Sequence, residues 1–170
     1  MKKIFCTLLA LMMILSLAAC GPDTTDPTND PTGGDSQPPK VLTMAEMYET
    51  ITSGVTMPEM LLLDADMMLD LMGVKAEHCA QAVIYICGDG LRTDEVWLIE
   101  AADEAALAGL KSLVTARLDA KAAESETYSP EQYAIVQKAQ VIENGLYLAV
   151  LVSPEVDTLA ANYKSAAGIN

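Results

Sequence analysis

Residues 21–40 read Gly-Pro-Asp-Thr-Thr-Asp-Pro-Thr-Asn-Asp-Pro-Thr-Gly-Gly-Asp-Ser-Gln-Pro-Pro-Lys, with five prolines and no large apolar side chain. Proline removes backbone donors and breaks helix and sheet interiors. A stretch with nothing to bury cannot offset the entropy of ordering itself. The tract therefore reads as a disordered tether, and it confines any core to residues 41–170. That remainder is long enough for one hydrophobic core. If polyproline-like, the tether spans roughly 60 Å at about 3.1 Å per residue.

Upstream, Met1-Lys2-Lys3 is a short basic start, and Ile4 to Ala18 is an apolar run of 15 residues without charge. That length suits a signal-peptide h-region and falls short of the roughly 20 residues that cross a bilayer as a helix. The run ends in Leu17-Ala18-Ala19-Cys20-Gly21. Small residues before a cysteine, with glycine after it, resemble the lipobox of bacterial lipoproteins. The resemblance implies a signal peptide over 1–19, cleavage before Cys20, and acyl chains on the Cys20 sulfur. The expected partner of that end is the lipid bilayer, at the outer face of the cytoplasmic membrane. Two or more chains anchor stably where one is marginal. The alternative is an ordinary secretory signal with a cysteine at its cleavage site. Residues 20–40 would then be the lipidated cysteine and tether, and 41–170 a single domain.

Without Lys2 and Lys3, eight basic residues face 24 acidic ones, a net charge of −16. Such a surface repels nucleic acid and anionic headgroups, so no nucleic-acid partner is expected. Solubility of an exported acidic protein accounts for the charge; a basic partner is the other account. Four cysteines reduce to Cys79 and Cys87 once Cys6 falls in the signal and Cys20 is lipidated. With the β-rich Ala82–Ile86 between them, an extended chain separates the two by roughly 26 Å at about 3.3 Å per residue. A disulfide needs Cα atoms within about 7 Å, so buried thiols are expected instead.

Helix starts are legible along the rest. Thr43-Met44-Ala45-Glu46 is a capping box with Leu42 and Met47 as its staple, and that helix ends near Gly54. Asp64 caps a second short helix stopped by Gly73. Met57 to Leu63 is ambiguous between a helical turn and a short strand. Val83–Ile86 and Glu95–Ile99 read as a hairpin around a Gly-Asp-Gly loop. From Asp103 the period turns helical, with Leu107, Leu110, Val114 and Leu118 on one face, and fraying near Ser125. Ser129-Pro130-Glu131-Gln132 opens another helix, with Ser129 as cap and Gln132 completing the box. A second hairpin joins Val141-Ile142 to Leu146–Val152 through Asn144-Gly145, and Ser153-Pro154-Glu155 starts a last helix through about Ala166.

These elements predict an α+β class: a four-stranded, mainly antiparallel sheet from two β-hairpins, packed with helices. Both halves run from an apolar strand into a capped helix, which hints at a ββα repeat. The strands are apolar on both sides, so both sheet faces should be covered, the second by the helices at 43–72 or by a partner.

The lipobox, the tether, the acidic helix ending in Gly73-Val74-Lys75-Ala76, and Tyr128-Ser129-Pro130-Glu131-Gln132-Tyr133 before a second hairpin resemble a family of small bacterial lipoproteins. The family is domain of unknown function 4358, and the resemblance covers about 41–165. It implies the localisation and single-domain layout, and no reaction, cofactor or partner. Helix initiation also accounts for the tyrosines, which flank Ser129 as a staple.

Catalysis is not expected. The one histidine, His78, sits beside Cys79, and adjacent side chains diverge. Nucleophile-elbow, phosphate-loop and dinucleotide patterns are absent. Met44, Met47, Met57, Met60, Met67, Met68 and Met72, near His78 and Cys79, suggest a soft metal such as Cu(I). Their helical spacing suits core packing better, and no cofactor is expected. Asp64, Asp66 and Asp70 lack the glycine and distal glutamate of a calcium loop. The remaining class is a non-catalytic interaction or binding module, with an envelope protein or a ligand as partner. Its candidate face is Tyr85, Trp97 and Tyr147, if these share one side of the sheet uncovered by residues 43–72.

Overall fold

The computed structural model describes residues 42–169; the expected signal peptide, Cys20 and the tether lie outside the described residues. Helix α1 (Met44–Thr52) starts as its sequence requires: the Thr43 side chain accepts from the Glu46 amide, and Glu46 reaches back to the Thr43 amide. Asp64 caps α2 (Ala65–Met72) by accepting from the Met67 amide at 2.8 Å, and Gly73 closes it at φ 71°. That left-handed residue favours glycine, which has no Cβ to clash. A short 3-10 turn (Ala76–His78) leads into β2 (Cys79–Cys87). Strand β3 (Glu95–Ala101) and the long helix α3 (Glu104–Tyr128) follow. Then come α4 (Pro130–Gln137), β4 (Gln140–Asn144), β5 (Tyr147–Val152) and α5 (Val156–Ala167). Gly145 takes φ 59° in the Asn144-Gly145 turn between β4 and β5.

The class is α+β, but the antiparallel sheet has five strands, not four: with β1 (Met60–Leu62) at one edge, the order is β1-β2-β3-β5-β4. The extra edge strand β1 (Met60–Leu62) comes from the stretch whose sequence was ambiguous. It pairs Met60 with Cys87 and Leu62 with Tyr85, and the Leu63 amide donates to the Ile84 carbonyl at 2.9 Å. A three-leucine run carries no period of its own. The open edge of β2 supplies the unpaired groups that make it a strand.

The central pair is β3 with β5, with Trp97 opposite Val150 and Leu98 opposite Ala149. Because side chains alternate, each strand divides its apolar residues between two layers. On one face Ile84, Trp97, Ile99, Leu148 and Val150 pack under α2, α3 and α4. On the other, Val96, Leu98, Ala149 and Leu151 pack under α1 and α5. Both faces are covered, as the two-sided apolar strands require. The segment 43–72 divides between them, α1 to one side and α2 to the other. The Asn162 side chain donates to the Ile51 carbonyl at 2.9 Å, which joins α5 to the end of α1.

The two ββα halves repeat in connectivity only. Strands β3 and β5 are antiparallel neighbours, their hairpin partners lie on opposite outer sides, and α3 and α5 lie on opposite faces. Reversing order, direction and face together is an inversion. No rotation of a chiral chain performs that, so the hint of a superimposable repeat is not met.

Candidate functional site

The residues proposed as one aromatic face separate. Tyr85 lies half-buried on the α1/α5 side and stacks on Tyr48, with ring centroids 3.6 Å apart and planes at 13°. Tyr147 is on the same side and donates its hydroxyl to Glu100 at 3.2 Å. Trp97 is 0% exposed and belongs to the opposite layer, beneath α3. The register places Val96, not Trp97, opposite Tyr85. A one-residue difference in assumed register moves a side chain to the other face. Burial raises the tyrosine hydroxyls of this side: Tyr48 is pushed up to about 12, chiefly by desolvation and then by the nearby Tyr85.

His78 is partly exposed, with Nε2 3.9 Å from Glu77. The Cys79 thiol points to the Lys75 carbonyl at 3.7 Å, and burial pushes its pKa up. Cys79 and Cys87 are both free thiols, at the two ends of β2. The methionines do not gather: Met44 and Met47 fill the α1/α5 layer, while Met67, Met68 and Met72 fill the other. Among the described residues no cluster of three His, Cys, Asp or Glu side chains could hold a metal ion.

Charge converges elsewhere, between the β2–β3 loop and the junction of α3 with α4. The apolar stripe of α3, Leu107, Leu110 and Val114, continues at helical spacing as Arg117, Lys121 and Ser125. These side chains meet the start of β3, where Glu95 points into the α3 layer and is 1% exposed. Arg117 grips the Glu95 carboxylate through Nη2 and Nε, and the Lys121 Nζ lies 2.9 Å from it. The Trp97 indole N–H donates to the same carboxylate at 3.3 Å. One carboxylate thus serves two cations.

Its neighbour Asp94 is fully buried, and Oδ2 accepts from Arg92 Nε at 3.0 Å. The hydrogen bond and charge of Asp94 raise the Arg92 guanidinium further above its ordinary value. The other oxygen, Oδ1, is buried and has no hydrogen-bond partner among the described residues. These groups line a cavity of about 140 Å³ whose rim includes Tyr128 and Glu124.

The loop is held from below by Gln132. Its side-chain oxygen accepts from both the amide (2.9 Å) and the hydroxyl (3.0 Å) of Thr93. Gln132 therefore does not complete the expected capping box, although Ser129 does cap α4 by accepting from the Gln132 amide. The backbone amide of a loop buried under a helix has no other acceptor, and that need outweighs a local box. None of the charged cavity residues was named as a candidate site from sequence; Cys87 and Tyr128 were named, the one as a buried thiol and the other as part of a helix staple. The 3–4 spacing that carries the α3 stripe on to Arg117 and Lys121 is the signal that could have found two of them.

A second hollow of about 520 Å³ lies on the other face, between the start of α1 and the end of α5, lined by Met44, Met47, Tyr147 and Tyr163. It opens beside Leu42, where the described residues begin.

An open, five-stranded α+β sheet with a charged cavity at one end of its strands thus defines the molecule. Residues 53–153 match the family described as Domain of unknown function (DUF4358), and the chain belongs to that family. The matched span takes in the whole sheet and every residue lining the Asp94 cavity, and leaves out α1 and α5. No curated protein and no solved structure matches the chain.

Proposed function

We propose that this chain is a lipoprotein, anchored through acylated Cys20 at the outer face of the cytoplasmic membrane, whose domain is a non-catalytic binding module. The observation that carries the binding role is the hollow beside Asp94, a charged space partly open to solvent with one buried acceptor unmet in its wall. Buried polar atoms are almost always hydrogen-bonded, and an orphaned one calls for a partner. The anchoring rests on the Leu17–Gly21 motif and the basic, apolar leader before it. Against nucleophilic catalysis stand the raised Cys79 thiol and a histidine whose nearest ionic neighbour is a surface glutamate.

Fractionating cells tests the anchor: Cys20→Ser should move the protein from membrane to soluble fractions with its domain still folded. Retention in the membrane with unchanged mobility would refute it. A thermal-shift screen of the full chain against small polar compounds tests the binding role. At least one should raise the Tm, and none doing so would count against it.

A second reading is contact with an envelope protein. It is favoured by Leu61 and Leu62 on β1 and Leu69 and Leu71 on α2, each roughly half exposed on consecutive elements at the sheet edge. Large apolar side chains exposed on neighbouring elements are where a partner contact would be sought.

A further inference from the structure

We infer that the hollow between the start of α1 and the end of α5 takes a single-chain, uncharged lipid, one aliphatic chain ending in an ester or alcohol oxygen, as in a monoacylglycerol. This goes beyond the binding role proposed above, which concerns the Asp94 cavity on the other face of the sheet.

The size and lining of the hollow are the first reason. Its volume of about 520 Å³ lies within the roughly 300–1,000 Å³ of small-molecule sites, which are mostly apolar with a few polar groups. The walls divide in that way: Met44 and Met47 are buried, while Asn144 and Ser165 are exposed. Methionine is unbranched and fills irregular space, so a pair of them suits a flexible chain.

Charge is the second reason. The chain has 24 acidic and 10 basic residues, yet the described residues lining this hollow include neither kind. A charged head would lose its hydration there and gain no countercharge. Beyond the lining, Glu100 takes the Tyr147 hydroxyl at 3.2 Å and would repel an anionic head.

Tyr163 is the third. It lines the hollow and is only 4% exposed, yet its hydroxyl makes no hydrogen bond among the described residues. A hydroxyl so placed calls for an acceptor, and an ester or alcohol oxygen supplies one without charge. Burial, and then the nearby Tyr147, pushes its pKa up, which keeps the proton in place to be donated. Residues 21–40, which precede Leu42 in sequence, hold no large apolar side chain to fill this space. A second copy would bring the same strongly negative charge against it.

The test is a calorimetric titration of the full chain with monooctanoylglycerol, monodecanoylglycerol, octanoate and octylammonium, each below its micelle concentration. The two neutral lipids should bind more tightly than either charged probe. The decanoyl form should bind roughly fifteenfold more tightly than the octanoyl form, the increment of two buried methylenes. Tyr163→Phe keeps the ring, so the fold should hold while affinity for the neutral lipids falls roughly twofold to tenfold. Ala166→Phe, in the lining, should narrow the hollow and weaken binding as well. Lys138→Gln, at the far end of α4, should change nothing.

Octanoate or octylammonium binding as tightly as monooctanoylglycerol would overturn the inference. Equal affinity in the unaltered chain, Tyr163→Phe and Ala166→Phe would also overturn it, since the lipid would then sit elsewhere, as on the apolar run 4–18. No binding of any probe does the same, and leaves the thermal-shift screen and the Cys20→Ser fractionation to decide the reading above. Should Ala166→Phe fail to fold, judged by its Tm, Tyr163→Phe decides: unchanged affinity for both neutral lipids would sink the inference.

Discussion

Glu95 shows how one side chain can be structural and electrostatic at once. It is 1% exposed at the first position of β3, between two cations and an indole. Glu95→Gln keeps its shape and removes its charge, leaving Arg117 and Lys121 to repel each other. The expected loss is about 2 kcal/mol, below the range for fully buried pairs because Arg117 reaches solvent. Urea unfolding followed by Trp97 emission measures it, and an unchanged midpoint would make the pair dispensable. Tyr48 makes a second prediction at this scale. Its folded pKa, about 12, lies above the ordinary tyrosine value near 10, so its contribution is intact below about pH 10. Stability should then fall as pH rises from 10 through 12, because the unfolded chain releases that proton first. Tyr48→Phe should flatten part of this decline, and an unaltered alkaline profile would contradict it.

Elements differ in how far their own residues specify them. The capping box of α1, the Asp64 cap and Gly73 stop of α2, and the Asn144-Gly145 turn are contacts within a few positions, so each was legible from sequence and is present. Strand β1 was not, because Leu61-Leu62-Leu63 suits either structure and only the free edge of β2 decides between them. Its residues should respond accordingly. Leu63, 3% exposed in the α2/α3 layer, should cost about 2–4 kcal/mol as Leu63→Ala. Its neighbour Leu61, half exposed, should tolerate Leu61→Lys within about 0.5 kcal/mol. Urea midpoints of the two variants settle the contrast, and equal effects would place β1 differently.

Across the whole molecule, strand β2 sets Cys79 and Cys87 apart along its full length, each facing a different neighbour strand. Non-reducing mass mapping should find no bond between them. Iodoacetamide at neutral pH should label the native protein slowly, since Cys87 is buried and burial raises the Cys79 thiol. Both should react once the chain is unfolded; fast labelling of the native state would contradict this. The same scale separates what residues 42–169 say locally from what they say together. Composition, apolar period and caps determined the α+β class, the kinds and approximate limits of the helices, and the need to cover two sheet faces. Those signals act through neighbours three or four positions away. Tertiary structure alone decided that Trp97 faces away from Tyr85 and Tyr147, since strand register has a period of two and a single step reverses every side chain. It also decided the cavity. Glu95 meets Arg117 and Lys121, and Thr93 meets Gln132, across separations that only the packing of α3 and α4 on β3 closes. A buried charge finds its partner in space, and sequence spacing does not record that distance.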